Sequence, residues 1–107
     1  MAVLYWDKGT GPQTTQELAD VVEQEGFLIT MFLINSLGQR CLWGVIYGAA
    51  RDWASGDVIY NYSSKVIASE SFNLLIRNRL SPDDNDQFDG SGEERCTEMV
   101  RRLRAIS

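Results

Sequence analysis

Apolar positions are concentrated in one stretch of the chain, Phe27 to Ala50, which carries a single formal charge at Arg40. The polar segment 35–40 divides this stretch into two runs, 27–34 and 41–48, that are rich in β-branched and aromatic residues. Two such runs joined by a short turn are typical of an antiparallel hairpin. The same polar interruption leaves each run too short to cross a membrane as a helix, so we expect no membrane span.

Two further segments have the composition of strands. Residues 2–6 are predicted to form an edge strand or a packed N-terminal arm. After the polar loop 51–57, residues 58 to about 68 are predicted to form the third strand of a meander.

Helical spacing of apolar residues marks three other segments, which are 15–25, 70–80 and 91–105. The first is the clearest, because Thr14 and Glu17 form a capping box and Gly26 stands where a C-cap glycine belongs. In the third, the predicted buried stripe consists of Cys96, Met99, Val100, Leu103 and Ile106. Residues 81–92 are acidic and contain glycine, and we expect them to form a mobile loop.

These elements follow one another in the order β-α-β-β-β-α-α. The sequence therefore predicts a single α+β domain over residues 1–107, with an antiparallel meander of three to four strands packed against three helices.

Negative charge is concentrated in one part of the chain. The net charge is −5, but residues 83–94 alone carry −6, so the rest of the chain nets +1. A negative surface argues against direct binding of nucleic acid or of an anionic membrane. It fits a cytoplasmic protein, or one whose partner is basic.

Candidate catalytic and metal-binding groups are few. The chain has no histidine, which removes histidine-based catalysis and most zinc and iron sites. Cys41 and Cys96 have no metal or redox spacing, and we expect both to be buried and reduced. In the acidic segment, aligning Gly90 with the glycine of an EF-hand loop places Cys96 where the bidentate glutamate belongs. We therefore expect no enzymatic activity, no metal and no cofactor.

The predicted hairpin has two unlike faces. If its turns are centred on 35–40 and 50–57, Phe32 lies opposite Trp43 and Tyr47 lies opposite Tyr60. One face is then aliphatic and forms the core, and the other is aromatic. Two alternatives remain for the aromatic face: helices cover it, or it stays open to bind a partner protein or a second copy of the chain.

These features favour a small acidic protein that binds and occludes another protein, as inhibitors and immunity or anti-defence proteins do. A run of carboxylates can imitate a phosphate backbone and block the nucleic-acid site of a basic partner. The predicted contacts are the aromatic residues Trp43, Tyr47, Tyr60 and Tyr62 and the carboxylates Asp83, Asp84, Asp86 and Asp89. The alternatives are a secretion-chaperone-like homodimer and a small-ligand-binding domain that uses Tyr and Asp side chains such as Asp52 and Asp57.

Overall fold

The fold is α+β, with helices in the majority. In the computed structural model, which describes residues 11–31, 33–62 and 69–106, two short strands and five helices follow one another along the chain. They are α1 (Thr15–Glu25), α2 (Leu42–Tyr47), β1 (Ala49–Arg51), β2 (Val58–Tyr60), α3 (Ser69–Arg77), α4 (Pro82–Gln87) and α5 (Gly92–Arg104). No helix within those ranges is both long enough and apolar enough to cross a bilayer.

Helix α1 is the element that the sequence predicts most closely. The Thr14 hydroxyl accepts the backbone N–H of Glu17 at 3.0 Å, which satisfies one of the unpaired donors of the first turn. Gly26 ends the helix with φ of 74°, a left-handed conformation that favours glycine. Leu18, Ala19 and Val22 are fully buried on one face of the helix.

The second half of the predicted hairpin is wrong, because residues 42–47 form helix α2 and not a strand. Cys41 is the N-cap, and its sulfur accepts the backbone N–H of Gly44 at 3.4 Å. Gly48 ends the helix with φ of 66°. Since Trp43 lies in this helix, its predicted strand pairing with Phe32 is also wrong, and Phe32 itself lies outside the described residues.

The first half of the predicted hairpin is likewise not a strand in its described part. From residue 27 to 34 the backbone makes one isolated bridge, between Ile34 and Arg40, and takes its other hydrogen bonds from outside any sheet. The N–H of Leu28 donates to the Gly92 carbonyl and that of Ile29 to the Arg40 carbonyl, each at 3.0 Å. These backbone groups are thus paired with separate parts of the chain and not with a neighbouring strand, so the segment is ordered but irregular.

The turn between these segments is confirmed. The Asn35 N–H donates to the Gln39 carbonyl at 2.9 Å, and Asn35 Oδ1 in turn accepts the Gln39 N–H. Arg40 then binds both carboxylate oxygens of Glu25, at 2.9 and 2.7 Å, and the Ala49 carbonyl at 3.0 Å. This bidentate pair attaches the turn to the end of α1.

The sheet is smaller than predicted. In the described residues it consists of β1 and β2 alone, antiparallel, and Tyr60 pairs with Ala49 rather than with Tyr47. The predicted third strand is confirmed only over Val58–Tyr60, and its continuation across residues 63–68 lies outside the described residues. The strand predicted at residues 2–6 lies outside them too.

The predicted acidic loop 81–92 is wrong for its first half, which forms helix α4. Ser81 caps this helix: its hydroxyl accepts the Asp84 N–H at 3.0 Å, and the Asp84 carboxylate accepts the Ser81 N–H at 3.0 Å. Pro82 occupies the first helical position, where its missing N–H costs no hydrogen bond. Helix α3 ends at Arg77, before the predicted end at residue 80.

The core lies where α1, α2 and α5 meet. Helix α5 begins after the N-cap Ser91 and ends at Arg104, close to the prediction. Its predicted stripe is buried, and the Cys96 thiol donates to the Val22 carbonyl at 3.1 Å. Cys41 and Cys96 are both buried and free, as predicted.

Candidate functional site

A cavity of about 160 Å³ lies between α2, α4, helix α3 and the irregular segment before the turn. Most of its lining is apolar. Trp43 and Tyr47 come from α2, Phe72 from α3, and Met31 and Leu33 from the irregular segment, while Asn85 and Asp86 on α4 supply polar groups.

Three aromatic rings form one wall of this cavity. Trp43 and Tyr47 stand one helical turn apart, so they share a face of α2, and their ring centroids are 5.4 Å apart. The Phe72 ring centroid also lies 5.4 Å from that of Trp43. Trp43 is only 3% exposed, and its indole N–H donates to the Leu80 carbonyl at 2.9 Å. Trp43 is therefore a fixed part of the cavity wall and not an exposed contact residue.

The other two predicted aromatic residues lie beside this wall. The Tyr60 ring meets Tyr47 edge-on, with centroids 5.9 Å apart, and Tyr60 is 37% exposed. Tyr62 packs on Gly48, where an added Cβ would lie 2.8 Å from its ring. Burial, and secondarily the neighbouring Tyr60, raises the pKa of Tyr47, so its phenol keeps its proton at neutral pH.

Met31 stands at the mouth of the cavity in an uncommon backbone conformation. Its φ is 71° and its side chain is 76% exposed. A left-handed non-glycine residue costs on the order of 1–3 kcal/mol and persists where its surroundings hold it. Here the Asp86 carboxylate holds it by accepting the Met31 N–H at 2.9 Å.

Asn85 connects the three elements that surround the cavity. It is 1% exposed, and its Oδ1 accepts the Leu42 N–H at 3.2 Å, at the start of α2. Its Nδ2 donates to the Ile29 carbonyl at 3.0 Å and to Asp86 Oδ1 at 2.9 Å. One side-chain amide thus fixes α2, α4 and the irregular segment relative to one another.

Arg95 supports the same region from α5. It is 7% exposed, and its guanidinium donates to the carbonyls of Asn85 at 2.8 Å, Leu28 at 2.9 Å and Phe88 at 3.3 Å. A phosphate-binding role, which an arginine on this helix would otherwise allow, is ruled out by this burial. Arg95 stands four residues before Met99, so it lies on the buried stripe of the helix. This spacing is the feature of the sequence that could have indicated its burial.

The four predicted carboxylates take different positions in the fold. Asp86 alone lines the cavity, and Asp83 and Asp89 are exposed elsewhere on the acidic segment. Asp84 caps its own helix. Burial acts to raise the pKa of Asp84, but the hydrogen bonds from Ser81 outweigh it, so the pKa is lowered and the carboxylate stays charged.

Cys41 also lines the cavity, but as a protonated thiol. Burial is the largest influence on it and raises its pKa, which makes it a poor nucleophile. In the part of the chain that the structure describes, no three metal-ligating side chains come together. The groups present, which are aromatic faces, a carboxylate and an amide, supply binding chemistry.

Sequence reasoning named three of the residues that line this cavity as candidate contacts. It placed Trp43 and Tyr47 on one aromatic face, but it placed Asp86 in a separate acidic segment. It missed Met31 and Asn85, because neither a left-handed methionine nor a buried asparagine on an acidic helix has a local sequence signal.

Comparison with known proteins returned no match: no protein-family model, no curated protein and no solved structure matches this chain.

Proposed function

We propose that this protein binds another protein and occludes part of its surface, with a partner side chain seated in the cavity beside α2. The observation that carries the proposal is that Trp43 and Tyr47 share one cavity with Asp86. Tryptophan and tyrosine in well-packed pockets are enriched at binding hot spots, and two hydrogen bonds hold the Asp86 carboxylate beside them.

The size of the cavity favours a side chain over a free ligand. Ligand pockets commonly measure about 300–1,000 Å³, and this cavity measures about 160 Å³. It is an order of magnitude larger than the ~10–15 Å³ that one water requires, so an anchoring side chain has room. Met31 and Tyr60, which are exposed beside it, add apolar surface around such an anchor.

The charge of α4 favours a basic partner. This six-residue helix carries Asp83, Asp84 and Asp86 and no basic residue. Carboxylates at the rim of an interface steer a positively charged partner and exclude negatively charged ones. An inhibitor, immunity or anti-defence protein in the cytoplasm, directed at a basic protein that handles nucleic acid, would use such a surface.

A small-ligand-binding role is the second candidate, and the cavity gives it one specific support. Tyr47 and Asp86 supply a phenol and a carboxylate at the same opening. The cavity volume restricts this alternative to a molecule of a few non-hydrogen atoms.

The experiment compares partner recovery by the wild type and by folded variants. Tagged protein produced in its own host would be purified under native conditions, and native mass measurement of the complexes would separate a foreign partner from a second copy of the chain. We expect Tyr47→Ala and Asp86→Asn each to reduce recovery of the foreign partner about tenfold, which corresponds to about 1.4 kcal/mol of binding free energy.

The matched control is Asp57→Asn, which removes the same charge from the exposed β1–β2 loop, away from the cavity. It should leave partner recovery unchanged. If all three variants keep a native circular dichroism spectrum and recover the partner equally well, the cavity is not the contact site and the proposal is wrong.

A further inference from the structure

We infer that the cavity accepts the alkylammonium side chain of a lysine on the partner. This assignment rests on the proposed function, because it names the anchor that the partner would insert. It is carried by the combination of three aromatic rings with one oriented carboxylate at a cavity of side-chain size.

The aromatic wall suits a cation more than a neutral alkyl group. Aromatic ring faces carry partial negative charge and attract ammonium groups within about 6 Å of the ring centroid. The Trp43 ring is tilted by 57° to Tyr47 and by 52° to Phe72, so neither neighbouring ring lies parallel to it. A cation in the cavity would therefore meet rings at more than one angle, as in sites that bind ammonium groups between aromatic side chains.

The carboxylate of Asp86 adds a charge whose orientation is set before binding. Its Oδ1 accepts hydrogen bonds from the Met31 N–H and from Asn85 Nδ2, both at 2.9 Å. These donors hold the carboxylate at the cavity without neutralising it. A neutral anchor would bury this charge unpaired, which is unfavourable, whereas an ammonium group would pair with it.

The charge at the cavity itself is negative. Among the described residues that line the cavity, Asp86 carries the charge. Asp84 on the same helix has Arg79 and Arg102 near it, so it adds little to this charge. Arg95 donates to three backbone carbonyls and does not line the cavity. Asp86 therefore favours a positive side chain in the cavity.

Lysine fits the site better than arginine does. A guanidinium presents five donors in a plane and is matched by several acceptors in a fixed geometry. The described polar groups that line the cavity are the Asp86 carboxylate, the Tyr47 phenol, the Cys41 thiol and the Asn85 amide, which is already engaged in three hydrogen bonds. Only one of these groups, the carboxylate, is a charged acceptor. A compact ammonium on a flexible alkyl stem can use the single carboxylate and pack its stem on Met31 and Leu33.

The test uses small probes, so it needs no knowledge of the partner. Nα-acetyl-lysine methylamide, the corresponding arginine derivative and the norleucine derivative, which retains an alkyl chain without the ammonium, would each be titrated into the protein. Two-dimensional ¹H–¹⁵N spectra report on the site directly through the Met31 N–H and the Trp43 indole N–H, because both residues line the cavity.

We expect the lysine derivative to shift both resonances and to bind at least about fivefold more tightly than the norleucine derivative, a difference of about 1 kcal/mol. Asp86→Asn should abolish that preference, because the amide keeps an oxygen for the Met31 N–H but carries no charge. Asp89→Asn, which removes the same charge from an exposed position of the acidic segment, should preserve it.

Three results would overturn the inference: equal or tighter binding of norleucine, tighter binding of arginine, or no shift with the lysine derivative at about 100 mM, a concentration that detects even affinities weaker than the millimolar range. If norleucine binds as tightly as lysine or more tightly, the anchor is apolar rather than cationic, and the proposed protein-binding function still stands. The proposed function itself would instead be refuted if Tyr47→Ala left partner recovery unchanged.

Discussion

Gly44 lies in the middle of α2, and replacing it with alanine should destabilise the protein. A Cβ at this position would overlap the carbonyl oxygen of Leu33, and it would lie 2.9 Å from the Leu33 carbonyl carbon and 3.1 Å from the Arg40 Cβ. None of these atoms can rotate away, because two belong to the main chain and the third is fixed to it. The irregular segment that lines the cavity would therefore have to move.

The magnitude follows from two opposing effects. Overpacking of this kind costs about 1–3 kcal/mol, and a rigid obstacle places Gly44→Ala near the upper limit. Alanine in a helix recovers up to about 1 kcal/mol relative to glycine. We therefore expect a net loss of about 2 kcal/mol in the free energy of unfolding, which for a chain of this size lowers the midpoint of thermal unfolding by about 8 °C.

Urea unfolding of Gly44→Ala and Gly92→Ala together would check this reasoning. The second substitution also adds a Cβ to a helical glycine, but there the nearest atoms belong to the end of the Phe27 ring, which is 37% exposed and can turn into solvent. We expect Gly92→Ala to cost less than about 1 kcal/mol. If Gly44→Ala is as stable as the wild type, the Leu33 carbonyl does not lie against α2, and the cavity described above is incorrect.

Three further outcomes are expected. Asn85→Ala should lower the free energy of unfolding by about 3 kcal/mol in urea titrations, because it leaves a buried N–H and a buried carbonyl without partners; a loss below about 1 kcal/mol would contradict its connecting role. Hydrogen bonds from Arg101 and Arg102 lower the pKa of Glu98 to about 2 from an ordinary 4.5, so the stabilisation from these bonds is present above pH 4.5 and disappears as the pH falls toward 2. Because these ion pairs lie at the surface, Glu98→Gln should cost no more than about 1 kcal/mol at neutral pH and nothing near pH 2; a cost that does not change with pH would contradict this. Burial raises the pKa of Cys41 and of Cys96, so a thiol reagent such as DTNB should react with both only after unfolding, and rapid labelling of the native protein would refute their assigned environment.

Elements with local signals were predictable from the sequence. Helix α1 carries its start at Thr14 and its end at Gly26, and α5 carries its start at Ser91, so neighbouring residues alone determine their limits. The same kind of signal was present before α4, in Ser81 followed by Pro82 and Asp84. It was missed because a proline shortly after a helix also indicates that the preceding helix has ended, and Pro82 was interpreted in that way.

Helix α2 could not be recognised from its apolar pattern. Five of its six residues are buried, from Leu42 to Ile46, so no polar face marks a helical period. A short apolar run that is buried on every side has the same pattern whether it is a strand or a helix. Its β-rich composition then favoured the strand, whereas packing against α1 and α4 and the caps at Cys41 and Gly48 stabilise the helix.

The site was predictable only in part, for a similar reason. The proximity of Trp43 and Tyr47 follows from helical spacing once α2 is known. The position of Asp86 beside them depends on hydrogen bonds between residues more than forty positions apart, such as the one that the Leu42 N–H donates to Asn85 Oδ1. Contacts of that kind have no signature within a window of neighbouring residues.

The contact between Arg95 and the Leu28 carbonyl, 67 positions apart, also determines when the cavity is completed during synthesis. Closing so long a loop is slow compared with forming a helix, because the entropy of closure must be overcome before the contact stabilises the chain. In its described residues, the irregular segment makes one isolated bridge and no strand ladder that could order it earlier. A nascent chain would therefore carry no completed cavity until α5 has left the ribosome and docked.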